Sequence, residues 1–349
     1  MTNTTAKEIA PYVCPIKVHE LANALVFYHA HCLDGFGAAY LVREYARNMT
    51  AKTNIMYVPI SYENELEKVK VAINALNIVT GLPKNNITLV MFIDFCPSED
   101  TMASVLNNVM CRVVVLDHHE SHKDLMFNYH MQVNTFAYYS DKLSGVGLVH
   151  EYLYGADQAG NMPVVLASIQ DRDLWQFKYS STKDICAALD STGNIPRDFV
   201  SWRIAMNNFP NAAYKGSILN KDFRARCDKV ADTAMHLTIC TGKMGKDIGL
   251  YAFTAYVVNA TYEYASEVGN VLVSRYNNAA IVWQYTERRD VKCSVRSNDE
   301  SLIDAKTIAE AFGGGGHKHA AGFTVGIEEW AAMLDMNTRI VTEEIHDTE

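Results

Sequence analysis

Apolar and polar residues fall into two recurring patterns along the first half of the chain. Ala24–His29, Ile55–Ile60, Ile87–Asp94 and Arg112–Asp117 are nearly unbroken apolar runs of strand length. Such runs predict strands covered on both faces. Between them, Phe36–Arg47, Asn64–Leu76 and Ser98–Leu106 repeat apolar positions at helical spacing. Strand and helix in alternation predict a doubly wound, mostly parallel α/β sheet. Helical patterns continue over Gly145–Tyr154 and Val164–Gln170, and Ser180–Gly245 carries no clear strand. Strand character returns beyond Tyr251: strand Ala255–Thr261, helix Tyr264–Tyr276, strands Ala279–Thr286 and Asp290–Ser297, then helix Ala305–Phe312. This predicts a second, smaller α/β or α+β domain.

A chain of 349 residues exceeds one ordinary core and suits two domains with a cleft between them. The patterns divide it into an α/β domain over 1–195, a helical linker over 196–246 and a smaller domain over 247–349. No apolar run approaches the ~20 residues of a membrane span. Met1–Pro15 is polar and lacks the features of an export signal, which predicts a cytoplasmic location. Eight cysteines without a C-x-x-C pair argue against a zinc ribbon and a disulfide framework. A net charge of −9 disfavours a protein that coats long nucleic acid, so any nucleic-acid substrate is expected to be short.

The polar exceptions to the apolar strands gather at their C-terminal ends: His29 and Asp34, Asp94, and Asp117-His118-His119. In open α/β sheets that edge binds ligands. Carboxylates and imidazoles converging there call for a cation, and mixed Asp and His ligands suit Mn²⁺, with Mg²⁺, Fe²⁺, Co²⁺ or Zn²⁺ as alternatives. The supply of ligands is enough for two ions, with Asp94 as the natural bridge. A water between two such ions becomes hydroxide near neutral pH, the chemistry of phosphoester hydrolysis.

A second signal is Gly313-Gly314-Gly315-Gly316-His317-Lys318-His319-Ala320-Ala321-Gly322-Phe323. A glycine run lets backbone N–H groups approach an anion that side chains would block. His317 and His319, with Lys318, can then donate to a phosphate, and Arg296 can pair with the same group in bidentate fashion.

Together, Y-H-x-x-C-x-D-G-F-G-A-A at Tyr28–Ala39, Ile93-Asp94, Asp117-His118-His119, Gln170-Asp171-Arg172-Asp173 and G-G-G-G-H-x-x-A-A-G-F resemble the DHH phosphoesterases with a DHHA1 C-terminal domain. Nearly the whole chain is covered, and members of this type include nanoRNases, oligoribonucleases and single-strand exonucleases. The resemblance implies a two-manganese site between the domains that hydrolyses short oligonucleotides, cyclic nucleotides or single-strand ends to 5′-phosphorylated nucleotides. It implies His29, Asp94 and Cys32 at one ion, and Asp34, Asp94, His118 and Asp171 at the other, with Asp173 the alternate to Asp171. Asp117 would orient a histidine, and His119 would contact the scissile phosphate or leaving group. Cys32 stands where many members carry an aspartate. The resemblance also favours nucleotide phosphodiesters over pyrophosphate.

Two other functions stay open on these residues: a phosphoanhydride or phosphomonoester hydrolase, and a nucleotide-binding sensor in which the Cys32 departure has abolished catalysis. A homodimer also stays open. Taken singly, His31 and His122 read as solvated loop residues and Cys96 and Cys111 as core thiols, while Asn259, Ser266 and Glu267 resemble helix-start positions that line the family's second-domain cleft, which helix capping explains equally well for Asn and Ser. Trp175 and Phe177 receive no role in substrate binding.

Overall fold

The apolar runs become the strands of a parallel sheet. In the computed structural model, residues 23–30, 32–48, 54–80, 87–191, 198–241 and 252–334 are described, so His31 and Cys14 lie outside the described residues. Strands β1 (Asn23–His29), β2 (Asn54–Ile60), β3 (Thr88–Ile93), β4 (Cys111–Asp117) and β5 (Thr135–Tyr139) lie in the order β2-β1-β3-β4-β5. Every pairing among them is parallel. The α-helices beside it are α1 (Leu33–Asn48), α2 (Glu65–Thr80), α3 (Glu99–Asn108), α4 (Lys123–His130), α5 (Gly145–Tyr154), α6 (Val164–Asp173), α7 (Thr182–Asp190) and α8 (Phe199–Asn207), and α9 (Phe209–Ala231) follows them in the chain.

Successive residues of a strand face opposite sides of the sheet. Ala24, Val26 and Tyr28 accordingly pack with Phe36 of α1, Val146 of α5, Ile169 of α6 and Trp202 of α8. Leu25 and Phe27 pack with Val69 of α2, Met102 of α3 and Met126 of α4 on the other face. Both faces being covered, the strands read as unbroken apolar runs rather than alternations. From β1 the chain winds outward to β2 on one side and to β3 on the other. The strand order therefore reverses between β1 and β3, and the crevice beyond the carboxyl ends of such a pair is where ligands bind in this architecture.

The second sheet contains β6 (Met235–Cys240), β7 (Ala252–Asn259), β8 (Ala280–Tyr285), β9 (Asp290–Arg296), β10 (Gly315–His317) and β11 (Ala320–Gly326) in the order β10-β11-β9-β8-β7-β6. It is antiparallel except between β7 and β8. Helix α10 (Tyr262–Tyr276) packs Val268 and Leu272 on one face against Val258 and Val282. Helix α11 (Ala305–Glu310) packs Ile308 on the other, with Val295, Phe323 and Trp330.

Contacts along the chain separate two compact units, Met1–Asn220 and Lys221–Glu349. Three strands depart from the sequence expectation. β5 and β10 were not anticipated, and β6 falls in the stretch read as free of strands. All three are edge strands, and half of the residues of β6 are exposed. No helix among the described residues is long and apolar enough to cross a membrane.

Candidate metal centre

Four segments deliver polar side chains to one edge of the parallel sheet. His29 ends β1, Asp94 follows β3, and Asp117 ends β4 with His118 and His119 after it. Helix α1 begins almost directly off β1, carrying Cys32 and Asp34 to the same edge. That tight turn requires Gly35, because a Cβ there would collide with the backbone oxygen of His29. Asp94 has φ +54° in the left-handed region, and its N–H donates to Leu116 O of β4 at 2.8 Å. A non-glycine residue there bears strain of about 1–2 kcal/mol, and residues held so against their preference cluster at functional sites.

Asp94 is the centre of the arrangement. Its Oδ2 accepts from Cys32 Sγ at 3.2 Å and lies 3.6 Å from His29 Nδ1. Its Oδ1 is buried and makes no hydrogen bond, although His118 Nε2 approaches to 3.2 Å. His118 Nε2 also lies 3.5 Å from Asp173 Oδ2 and 4.0 Å from Asp34 Oδ2. Four groups result, His29–Cys32–Asp94, Asp94–His118–His119, Asp34–His118–Asp173 and, behind them, Asp117–His119–His122, each with donor atoms within 4.8 Å of one another.

The electrostatics call for a cation. Burial, then the Asp173 and Asp94 carboxylates, push Asp34 well above the usual carboxylate range. Burial also raises Asp173, with Asp94 adding to it against the opposing pull of His118. Burial disfavours the charge on His118, but Asp94, Asp173 and Asp34 outweigh it and raise that imidazole to about 10. Burial likewise opposes the charge on Asp94, and the imidazoles of His118 and His29 outweigh it and hold the group below its ordinary value. The protein thus draws a proton onto His118 where carboxylates crowd. This oxygen, nitrogen and sulfur set fits a divalent metal ion.

Asp117 lies behind the cluster and is fully buried. Its Oδ1 accepts from His118 N at 2.9 Å, His119 N at 3.4 Å and His119 Nδ1 at 2.6 Å, and its Oδ2 accepts from His122 Nδ1 at 3.0 Å. With Nδ1 of His119 engaged, Nε2 remains for a ligand. His122 is therefore a partner of Asp117 rather than the solvated loop residue read from the sequence. Cys96 and Cys111 are buried in the core.

Asp34 has a second duty. Its Oδ1 accepts from Ser144 Oγ at 2.7 Å and Val146 N at 3.0 Å, and its Oδ2 accepts from Gly145 N, so it caps the N-terminus of α5. A Cβ on Gly145 would lie 2.5 Å from Asp94 Cβ and 2.8 Å from Asp34 Oδ2. A Cβ on Gly147 would collide with Gln170 Oε1, which accepts from Ser144 N at 3.3 Å. Sequence reasoning overlooked Ser144, Gly145 and Gly147 as part of the site. The available signal was a serine and two spaced glycines opening an apolar helix.

The two aspartates of Gln170-Asp171-Arg172-Asp173 separate. Asp173 joins His118, whereas the Asp171 carboxylate accepts from Lys178 N at 2.8 Å, Tyr179 N at 3.2 Å and Thr182 Oγ1 at 2.5 Å. Among the described residues, Asp171 is in none of the four candidate ligand groups, whereas Asp173 is in one of them.

In the second unit the glycine run is structured. Gly313 N donates to Glu310 O at 3.1 Å and Gly314 N to Ala309 O at 2.9 Å, closing the end of α11. Those amides are spent on the helix, which corrects the expectation that the whole run is open to an anion. Gly313 has φ +72° and Gly316 φ +146°, while a Cβ on Gly314 would strike Gly322 O. Gly315, Gly316 and His317 pair with Gly322, Ala321 and Ala320 of β11. His317 is exposed, and His319 Nε2 lies 3.3 Å from Asp299, which Lys318 Nζ meets at 2.7 Å. Arg296 donates to Val295 O at 2.9 Å and Ser266 Oγ at 2.7 Å. Neither partner is charged, and burial lowers the guanidinium below its ordinary value.

Residues 249–343 match the DHHA1 domain family. An uncharacterized protein of Acanthamoeba polyphaga mimivirus is 26% identical over 311 residues. The alignment covers 85% of this chain and 66% of that relative, so the chain spans slightly less than two thirds of the relative's length. RecJ in complex with Mn²⁺ from Thermus thermophilus superposes with a TM-score of 0.50 at 14% identity, covering 96% of this chain and 56% of that one. An exopolyphosphatase-related protein from Bacteroides fragilis gives 0.48 at 14% identity, over 90% and 91% of the two chains. The likeness to RecJ is one of fold.

Proposed function

We propose that this chain, which belongs with the DHH/DHHA1 phosphoesterases through its C-terminal domain and its fold, is a metal-dependent phosphodiesterase of short oligonucleotides or cyclic nucleotides. Its products are 5′-phosphorylated nucleotides. The observation that supports this best is Asp94: a strained, buried carboxylate whose oxygens face His118 Nε2 at 3.2 Å and His29 Nδ1 at 3.6 Å, shared between two groups of candidate ligands.

His29, Cys32 and Asp94 on one side, and Asp34, Asp94, His118 and Asp173 on the other, would hold two divalent ions, Mn²⁺ by preference with Mg²⁺, Co²⁺ or Fe²⁺ as substitutes. When bound, such ions acidify water and neutralise charge on phosphoryl oxygens. The chain's own residues arrange this chemistry. Asp94 holds both groups in register, and Asp117 fixes His119 by its Nδ1 so that Nε2 meets the scissile phosphate or leaving oxygen. Arg296, with only neutral partners, pairs with a substrate phosphate, aided by His317, His319 and the Gly315–Gly316 backbone. The described cysteines are all free, which agrees with a reducing cytoplasm.

The test is hydrolysis by metal-stripped protein, with and without Mn²⁺, of dinucleotides, short oligonucleotides, cyclic nucleotides and pyrophosphate. Mn²⁺-dependent release of 5′-mononucleotides is expected. Phosphate released from pyrophosphate alone would replace the diesterase with a phosphoanhydride hydrolase. Nucleotide binding without turnover would leave a sensor.

A further inference from the structure

Beyond Asp173 the chain makes a turn that metal binding leaves unexplained. Trp175 and Phe177 both adopt left-handed backbone, with φ +56° and +49°. Bulky L residues are strained there, whereas glycine would sit freely. Asp171 holds the turn from both its backbone and its side chain. Its backbone oxygen accepts from Gln176 N at 2.9 Å and Phe177 N at 3.4 Å. Its carboxylate accepts from Lys178 N, Tyr179 N and Thr182 Oγ1, which places a buried charge at the base of the turn.

What the turn displays is an indole. Trp175 is 46% exposed and meets Phe177 edge-on, with centroids 4.8 Å apart and an interplanar angle of 77°. Lys183 Nζ covers the Phe177 ring at 4.8 Å from its centroid. Phe177 is thus packed while Trp175 keeps an open surface. Glycine at either position would relieve the strain, so the core gains nothing from this backbone that a simpler turn would not supply. The indole is also tethered two residues from Asp173, whose carboxylate lies 3.5 Å from His118 Nε2.

We infer that Asp171, Trp175 and Phe177 form a platform on which a nucleobase stacks beside the metal cluster. Trp175 determines specificity, and Asp171 is a positioning residue that acts through the turn. Every base has a π-face, so the platform selects nucleotides over phosphate esters that lack a base while tolerating base identity. This rests on the phosphodiesterase reading only in that the substrate is a nucleotide.

AMP and ribose 5-phosphate, which differ by the base, separate the possibilities. Of the four tryptophans, Trp202 and Trp330 are buried and Trp283 is half-buried, which leaves Trp175 as the exposed reporter. AMP is expected to quench tryptophan fluorescence of the full chain, ribose 5-phosphate is not, and Trp175→Phe should abolish the signal. By calorimetry, Trp175→Ala should weaken AMP about tenfold without altering ribose 5-phosphate. Asp171→Asn should weaken AMP similarly while bound Mn²⁺, counted by elemental mass spectrometry, stays at the wild-type level. Equal binding of the two probes, no AMP binding, or unchanged AMP affinity in Trp175→Ala overturns the platform. Loss of Mn²⁺ in Asp171→Asn would return that residue to the ligand set. Hydrolysis without base dependence sinks the platform alone, and base-dependent quenching without hydrolysis of any diester sinks the hydrolase alone.

Discussion

Asp94 shows how one residue concentrates the demands of the site. Its left-handed backbone turns a carboxylate into a buried cluster, where Oδ1 faces His118 Nε2 at 3.2 Å and Oδ2 faces Cys32 Sγ at 3.2 Å. Asp94→Asn keeps the shape and removes the charge. It should lose metal from both groups and lower turnover by about 10²-fold or more. Metal content near wild type would refute the bridging role. Asp117 acts one step removed, because its two oxygens hold His119 and His122 by their Nδ1 atoms. Asp117→Asn should therefore lower metal affinity or activity by about 10–100-fold, the range for partners that orient ligands. A titration showing no change would reduce Asp117 to a structural group. These strand-end residues were legible because each is the polar exception that ends an apolar run. His122 was not, since nothing in its neighbours reveals that it reaches Asp117.

Elements enter the site through their ends. Asp34 joins α1 to the N-terminus of α5, where backbone N–H groups favour a negative charge. Gly145 permits the contact, because any Cβ would meet Asp94 Cβ at 2.5 Å. Gly145→Ala should displace Asp34 or Asp94 and reduce metal affinity, while far-ultraviolet dichroism remains that of a folded protein. Full metal affinity in this variant would show that the close approach is dispensable. Helix ends also explain the ambiguity between Asp171 and Asp173. Residues two apart on a helix differ by roughly 200° in direction, so only one of them can join the cluster. The spacing announces the choice, but packing of α6 against α7 makes it, by giving Asp171 the Thr182 hydroxyl and the Lys178 and Tyr179 amides.

At the scale of the molecule, the parallel unit gathers acidic groups and imidazoles where the strand order reverses, and this makes metal binding compete with protons. His118, raised to about 10 chiefly by Asp94 and Asp173 against the effect of burial, is protonated at neutral pH without metal. The charged imidazole contributes stability below its ordinary value that is lost as pH rises through about 10. A metal needs the neutral ring, so affinity must rise with pH across that window. Between about pH 6.5 and 8.5 the gain should approach tenfold per unit, with proton release measured by calorimetry in buffers of different ionisation enthalpy. A flat profile without proton release would remove His118 from the ligands.

By itself the sequence determined the alternation of strands and helices in the parallel sheet and which polar residues end its strands, because burial on both faces writes itself into unbroken apolar runs. Only the tertiary structure decided the edge strands β5 and β6, the capping of α5 by Asp34, the use of the first glycine amides to close α11 and the parting of Asp171 from Asp173. Some of these turn on groups that meet across large separations, as Asp34 and Val146 do, and others on local backbone geometry, as where Gly314 N meets Ala309 O. Periodicity along a sequence records which side of an element is buried, and carries no information on the partner it is buried against.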